Sequence, residues 1–231
     1  MRKNLFLAIL IGAILLIGAA MWRLSYTPEF RFLTRSEQRA RMQAVREILR
    51  KPAWRAKRFL PRMIRDKDPV IAGAGLIIIT RRHFTELAPD VETFYRETPN
   101  VDLRVSALRT LIELRSSQLS MLAKEALKDR ELQVRCAGAH AASAAQDFSL
   151  VPDIIKMAGD GTNEERRAAL EALIEMKAKE GLPFLVEELE DERVLDAGVA
   201  LDALVRITGK NEGLDTDAWR IAIKEAGKEQ D

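Results

Sequence analysis

The stretch LRVSALRTLIEL, at positions 103–114, sets a pattern of arginine, alanine and leucine that the chain repeats. The sequence at 165–176 reads ERRAALEALIEM, in register with the first stretch after 62 residues, and an intervening copy fixes the step at 31. Three rows of small and apolar positions keep this step: Ala107, Gly138, Ala169 and Ala200; Leu108, Ala139, Leu170 and Leu201; Leu111, Ala142, Leu173 and Leu204. A fixed period of about 20–50 residues indicates a stack of structural repeats.

Composition and spacing both favour helices. The chain has 231 residues, of which 47% are apolar, 31% charged and only 6% aromatic, and alanine and leucine dominate the apolar set. Each repeat is predicted to hold two helices, in the pairs 119–129 with 132–145, 151–159 with 163–179, and 182–191 with 193–208. One such unit cannot bury its own apolar face, so neighbouring units must stack. The sequence therefore predicts an all-α solenoid.

The segments LRVSALRTL, VRCAGAHAA and ERRAALEAL share the pattern V-R-x-x-A-L-x-A-L after an aspartate-containing turn. This pattern resembles the HEAT repeat, particularly the short bacterial form found in phycobilisome lyases, and the resemblance covers residues 53–210. It implies a right-handed α-solenoid of about five helix pairs, whose second helices line a concave binding face. Two features depart from the pattern: Asp196-Ala197 replaces the expected apolar-Arg pair, and the first unit lacks the arginine.

The chain is predicted to have six segments. They are a basic n-region at 1–4, a transmembrane anchor at 5–22, a linker at 23–33, an N-terminal capping helix at 34–52, HEAT-like repeats at 53–210, and a C-terminal capping helix at 211–231. The motif Thr34-x-x-Glu37 indicates a capping box at the first capping helix. The second is expected to start at Asp215 or Thr216 and to lay Trp219 over the last repeat.

The anchor is the sequence LFLAILIGAILLIGAAMW at 5–22, which carries no charge. As a helix it would span about 27 Å, close to a hydrocarbon core of about 30 Å. The alternative is a secretory signal cleaved near the small residues at 18–20, although its apolar region is usually only about 7–15 residues long. We therefore expect a retained single-pass anchor in the inner membrane, with the body outside the cytoplasm because a basic n-region precedes the span.

Charge is distributed unevenly along the chain. Residues 23–67 carry 14 Lys or Arg against 4 Asp or Glu, whereas residues 160–231 carry 10 against 19. Beside a membrane anchor, basic residues attract anionic lipid headgroups. The residues expected to bind headgroups are Arg55, Lys57, Arg58 and Arg62. A nucleic-acid face over 35–67 is the alternative, but the cations there alternate with a helical apolar stripe, which favours a lipid or solvent-facing surface.

The sequence offers few candidates for catalysis or metal binding. One row of carboxylates keeps the 31-residue step: Asp129, Asp160 and Asp191. Neighbouring helices lie about 10 Å apart, too far for such a row to share one ion, so we expect these aspartates to cap helices and to pair with arginines. Cys136 and His140 are neighbours on one helix, but no third group completes a nucleophile–base set. Neither His140 nor His83 is followed by the glutamate of HEAT-type di-iron enzymes.

We therefore predict no catalytic residue, no metal and no cofactor. The expected function is that of a membrane-tethered scaffold that binds a protein partner on its curved helical surface. An enzyme subunit of the HEAT-like lyase type is the alternative from a different class, and a nucleic-acid binder is a third.

Overall fold

The computed structural model describes residues 37–50, 52–190 and 197–228, together with Ile17 and Thr27. Within these ranges the chain forms twelve α-helices, three short 3-10 helices and no strand. The α-helices are α1 (Gln38–Leu49), α2 (Ala53–Ile64), α3 (Pro69–Arg82), α4 (Ala88–Glu97), α5 (Val101–Glu113), α6 (Leu119–Ala126), α7 (Leu132–Ala145), α8 (Val151–Asp160), α9 (Asn163–Met176), α10 (Leu182–Glu190), α11 (Ala197–Thr208) and α12 (Thr216–Lys228). The prediction of an all-α fold is confirmed for this part of the chain.

The chain divides into two compact units, Met1–Ile78 and Ile79–Asp231, and the boundary falls within α3. In the first unit, α1 packs against α2. The buried side chains of α2 are Ala56, Phe59, Leu60, Met63 and Ile64. The side chains of Arg41 and Asp66 form a nearly buried ion pair in this unit, which joins α1 to the turn after α2.

The second unit is built from consecutive helix pairs. Helices α4 and α5, α6 and α7, α8 and α9, and α10 and α11 pack as pairs. The second helix of each pair also contacts the next second helix, in the order α5, α7, α9 and α11. Helix α12 packs on α10. This arrangement is consistent with an α-solenoid.

Burial follows the 31-residue step. Ala107, Leu108 and Leu111 of α5 are all 0% exposed, and most of their equivalents in the later second helices are buried as well. The one glycine in these rows, Gly138 of α7, lies so close to α6 that an added Cβ would stand 2.8 Å from the Cβ of Ala126. The absence of a side chain at Gly138 therefore lets α7 approach α6 closely.

The turns repeat as well. A residue with positive φ follows the second helix of each pair, and also α3, within two residues of the helix end. These residues and their φ angles are His83 (50°), Arg115 (52°), Gln146 (51°), Lys177 (51°) and Gly209 (74°). A left-handed residue at this point lets the chain leave the helix and turn toward the next unit.

Two local predictions about helix starts are wrong. Glu37 is the N-cap of α1, with extended backbone and no side-chain cap hydrogen bond, so it does not stand three positions inside a helix as the predicted capping box requires. A capping box forms instead at α9, between Thr162 and Glu165. Asp160 does not cap α9 because it is the last residue of α8.

The C-terminal end of the second unit closes as predicted. Asp215 precedes α12, and its Oδ1 accepts a hydrogen bond of 2.9 Å from the backbone N–H of Ala218. Trp219 is 0% exposed and packs in a core that includes Leu170, Leu185 and Leu204. The α12 helix therefore covers apolar side chains of the last helix pairs.

The predicted anchor at 5–22 lies outside the described residues except for Ile17, which is helical. Among the helices that the structure describes, none is both long and apolar enough to cross a bilayer.

Candidate functional site

The second helices α5, α7 and α9 together line a groove of about 440 Å³, which we call the second-helix groove. Its lining positions recur at the 31-residue step, so each helix contributes an equivalent set of side chains. The floor contains the small residues Ser106, Ala137 and Ala168, one from each helix. Because these side chains are short, the groove extends inward between the longer side chains at its edges.

Polar and charged side chains form the two rims of the groove. One rim carries Asp102, Gln133 and Glu164, and the other carries Arg109, His140 and Glu171. The two rims therefore present both signs of charge to solvent.

Glu171 lies near two other side chains that line the groove. One carboxylate oxygen lies 3.9 Å from His140 Nε2, and the other lies 3.9 Å from Arg167 Nε. All three side chains remain substantially exposed, so these long contacts leave them accessible to a ligand.

Cys136 lies on α7 in the groove, one helical turn before His140. Burial raises the pKa of the Cys136 thiol, and the carboxylates of Glu165 and Glu164 raise it further. The thiolate is the reactive form of cysteine, so a raised pKa works against nucleophilic activity at neutral pH. Cys136 and His140 are therefore neighbours on one helix, but the Cys136 thiol lacks the lowered pKa that activates a cysteine nucleophile.

A second set of residues, which we call the arginine ladder, consists of Arg104, Arg135 and Arg166. Arg135 Nε lies 2.5 Å from Glu165 Oε1, and its Nη1 donates hydrogen bonds of 2.8 and 2.9 Å to the carbonyls of Asp129 and Arg130. Arg135 therefore joins the turn before α7 to the first turn of α9.

Arg166 repeats this arrangement one unit later. Its Nε donates to the carbonyl of Ala158 at 3.1 Å, and its Nη1 lies 3.4 Å from Glu188 Oε2 on α10. Arg135 and Arg166 each hold a backbone carbonyl of their own pair and a carboxylate of the next pair. The arginine ladder thus stabilises the stacking of neighbours.

The aspartate row behaves only partly as the sequence predicted. Asp129 pairs with Arg104 at 3.2 Å and accepts a backbone hydrogen bond from Glu131. The carboxylate partners of Arg135 and Arg166 are glutamates instead, and Asp191 lies outside the described residues. In the part of the chain that the structure describes, no group of three or more His, Cys, Asp or Glu side chains could hold a metal ion.

The residues expected to bind lipid headgroups all lie on α2. Arg55, Arg58 and Arg62 are exposed, whereas Lys57 is half-buried. Trp54, which the sequence analysis did not select, is 55% exposed, and the Arg55 guanidinium carbon lies 5.3 Å from the centroid of its ring. The spacing of Trp54 four residues before Arg58 could have placed it on the same side of a helix.

The sequence analysis also named no residue of the second-helix groove as a binding residue. The 31-residue step also relates the exposed residues Arg109, His140 and Glu171. Because the charge varies along this row, the sequence favours a solvent-exposed face there over a set of ligands, and for that reason the rim was not selected.

No protein-family model and no curated protein matches the chain. The solved structures that it resembles include the X-ray structure of YibA from E. coli, with a TM-score of 0.47 and 16% sequence identity. That match covers 85% of this chain and 91% of the other.

Proposed function

We propose that this chain is a HEAT-like, right-handed α-solenoid of about five helix pairs that binds a protein partner on its second-helix surface. Residues 5–22 would anchor it in the inner membrane by a single span, with the body outside the cytoplasm. The observation that carries the proposal is the second-helix groove, because equivalent positions of three successive helices contribute small residues to its floor and polar or charged residues to its rims.

The chemistry of the groove suits a polypeptide better than a nucleic acid or a substrate. Both rims include carboxylates, at Asp102, Glu164 and Glu171, which would repel phosphates. Mixed charges around a floor of small side chains can instead pair with the charged side chains and backbone groups of a protein segment. The raised pKa of Cys136 works against the enzyme alternative at this position.

The position of Cys136 allows a direct test, because it is the single cysteine of the chain. A photo-crosslinker attached to Cys136 in full-length protein, irradiated in membranes of the source cell, should join to a discrete protein. Ser106→Arg should abolish this product, since a long cation would fill the groove floor opposite the label. Ser117→Arg is the matched control, because Ser117 is exposed in the turn after α5 and does not line the groove.

The thermal midpoints of both variants should be measured beside the wild type, so that loss of the product can be assigned to the groove and not to unfolding. Equal crosslinking by the two arginine variants would count against the groove as the binding site.

A further inference from the structure

We propose that one face of α2, formed by Trp54, Arg55, Arg58 and Arg62, docks on the headgroup layer of an anionic membrane. We call these four residues the α2 basic face. The inference rests on the proposed membrane tether, which would hold the first unit beside a bilayer, and it adds a second contact between that unit and the lipid.

The two sides of α2 differ in their exposure to solvent. Phe59, Leu60, Met63 and Ile64 are buried in the first unit, whereas all four residues of the α2 basic face are exposed. The three arginines stand at positions 55, 58 and 62, a spacing of three and four residues that aligns side chains along one side of a helix. The sequence of α2 contains no acidic residue.

The first unit has little negative charge of its own to balance this face. Its described residues include ten Lys or Arg and four Asp or Glu. Asp66 is held by Arg41, and Asp68 accepts hydrogen bonds from Gln38 Nε2 at 3.1 Å and from the Val70 N–H at 3.0 Å. These two carboxylates are occupied within the unit, so the excess positive charge is complementary to an anionic partner outside it.

Trp54 favours a membrane as that partner over a nucleic acid. An exposed indole can lie at headgroup depth while neighbouring cations contact the lipid phosphates, and this contact leaves the apolar side of α2 packed in the first unit. Arg55 lies against the Trp54 ring, so the apolar and cationic parts of the face are adjacent. Helix α2 also follows the proposed span by only thirty residues, which limits its distance from the bilayer.

The test uses full-length protein in lipid nanodiscs, with the environment-sensitive fluorophore NBD attached at Ala53→Cys in a Cys136→Ser background. Ala53 is the exposed first residue of α2 and is not part of the α2 basic face. NBD emission should brighten and shift to shorter wavelength when phosphatidylglycerol is mixed into phosphatidylcholine, but not in phosphatidylcholine alone. The shift should reverse near 1 M salt, where the Debye length falls to about 3 Å.

A matched pair of triple variants separates a local surface from overall charge. Arg55→Gln, Arg58→Gln and Arg62→Gln together should remove the lipid-dependent shift. Replacing three exposed arginines of the second unit by Gln changes the net charge equally and should preserve it; these are Arg81, Arg115 and Arg130. Emission that is the same in neutral and anionic nanodiscs, or the same in both triple variants, would overturn the inference.

Different outcomes would contradict the proposed membrane anchor and the proposed lipid contact of the α2 basic face. Failure of the protein to insert into nanodiscs would contradict the proposed membrane anchor. The same labelled protein is then mixed with lipid vesicles of the two compositions, neutral and anionic. A shift on anionic vesicles alone would still support the α2 basic face. A shift produced by duplex DNA but by neither vesicle would overturn it and would assign these residues to nucleic-acid binding.

Discussion

Gly161 lies in the short turn between α8 and α9, where a side chain has no room. A Cβ added there would stand 2.8 Å from the Cβ of Glu165 and would collide with the carbonyl oxygen of Met157, which accepts the Gly161 N–H. Because one of these atoms belongs to the backbone, the turn itself would have to move. Gly161→Ala should therefore lower the free energy of unfolding by about 1–3 kcal/mol, measured by urea denaturation.

Gly159 provides the control from within the preceding helix. A Cβ added there would meet its nearest neighbour, Phe184 Cε2, at an ordinary 3.7 Å. Alanine forms helix more readily than glycine, so Gly159→Ala should raise the free energy of unfolding by up to about 1 kcal/mol. Changes of the same sign in the two variants would contradict this account of the α8–α9 turn.

Lys177 illustrates a different backbone constraint. It closes α9 at φ 51°, a conformation in which a residue with a Cβ is strained. Lys177→Gly should remove this strain and raise the free energy of unfolding by about 0.5–1 kcal/mol, after allowing for the greater freedom of glycine in the unfolded chain. Lys179→Gly should instead lower the urea midpoint, because Lys179 lies in a 3-10 helix and is not one of the residues with positive φ.

Stacking between α7 and α9 depends in part on the ion pair of Arg135 and Glu165. The Arg135 guanidinium holds the pKa of Glu165 below its ordinary value of 4.5, and hydrogen bonds from Thr162 lower it further. The stabilisation that this carboxylate supplies is therefore complete above pH 4.5 and is lost as the pH falls through the lowered pKa. Glu165→Gln should be less stable than wild type at pH 7, and the difference should shrink below pH 4.5.

The measurement is the urea midpoint of each protein between pH 7 and pH 3. Glu164→Gln is the control, because Glu164 is exposed in the same turn of α9 and its loss changes the net charge equally. A difference between wild type and Glu165→Gln that stays constant over this pH range would contradict the assigned role.

At the level of elements, the sequence predicts the buried positions more accurately than it predicts the ion pairs between side chains. The 31-residue step identified the buried rows because packing depends on size and spacing, and both are visible in the sequence. The partner of Arg135 was not visible, since it depends on how α7 crosses α9 and not on the step. The motif T-x-x-E occurs at Thr34 and at Thr162 alike, and local sequence alone does not determine which one opens a helix.

For the whole molecule, the decisive prediction concerns residues 5–22. If they form a retained anchor, full-length protein should sediment with membranes, should resist carbonate extraction, and should keep Met1 or Arg2 as its N-terminus. The physical reason is that an uncharged span of 18 residues is long enough to cross the hydrocarbon core as a helix. A mature protein that begins at Met21 would identify the span as a cleaved signal instead.

The recurring turn and the 31-residue step have a consequence for how such a chain can change in evolution. Successive second helices contact one another in the order α5, α7, α9 and α11, and at Arg135 and Arg166 the same kind of bond joins one pair to the next. A tandem duplication of residues 132–162 would thus supply one more complete layer, with its own arginine and its own rim residues. A gain or loss of one residue within a helix would rotate the following side chains by about 100° and separate these groups from their partners, so changes within the helices should come in whole layers. The turns can absorb one residue, as the 32-residue step from His83 to Arg115 illustrates.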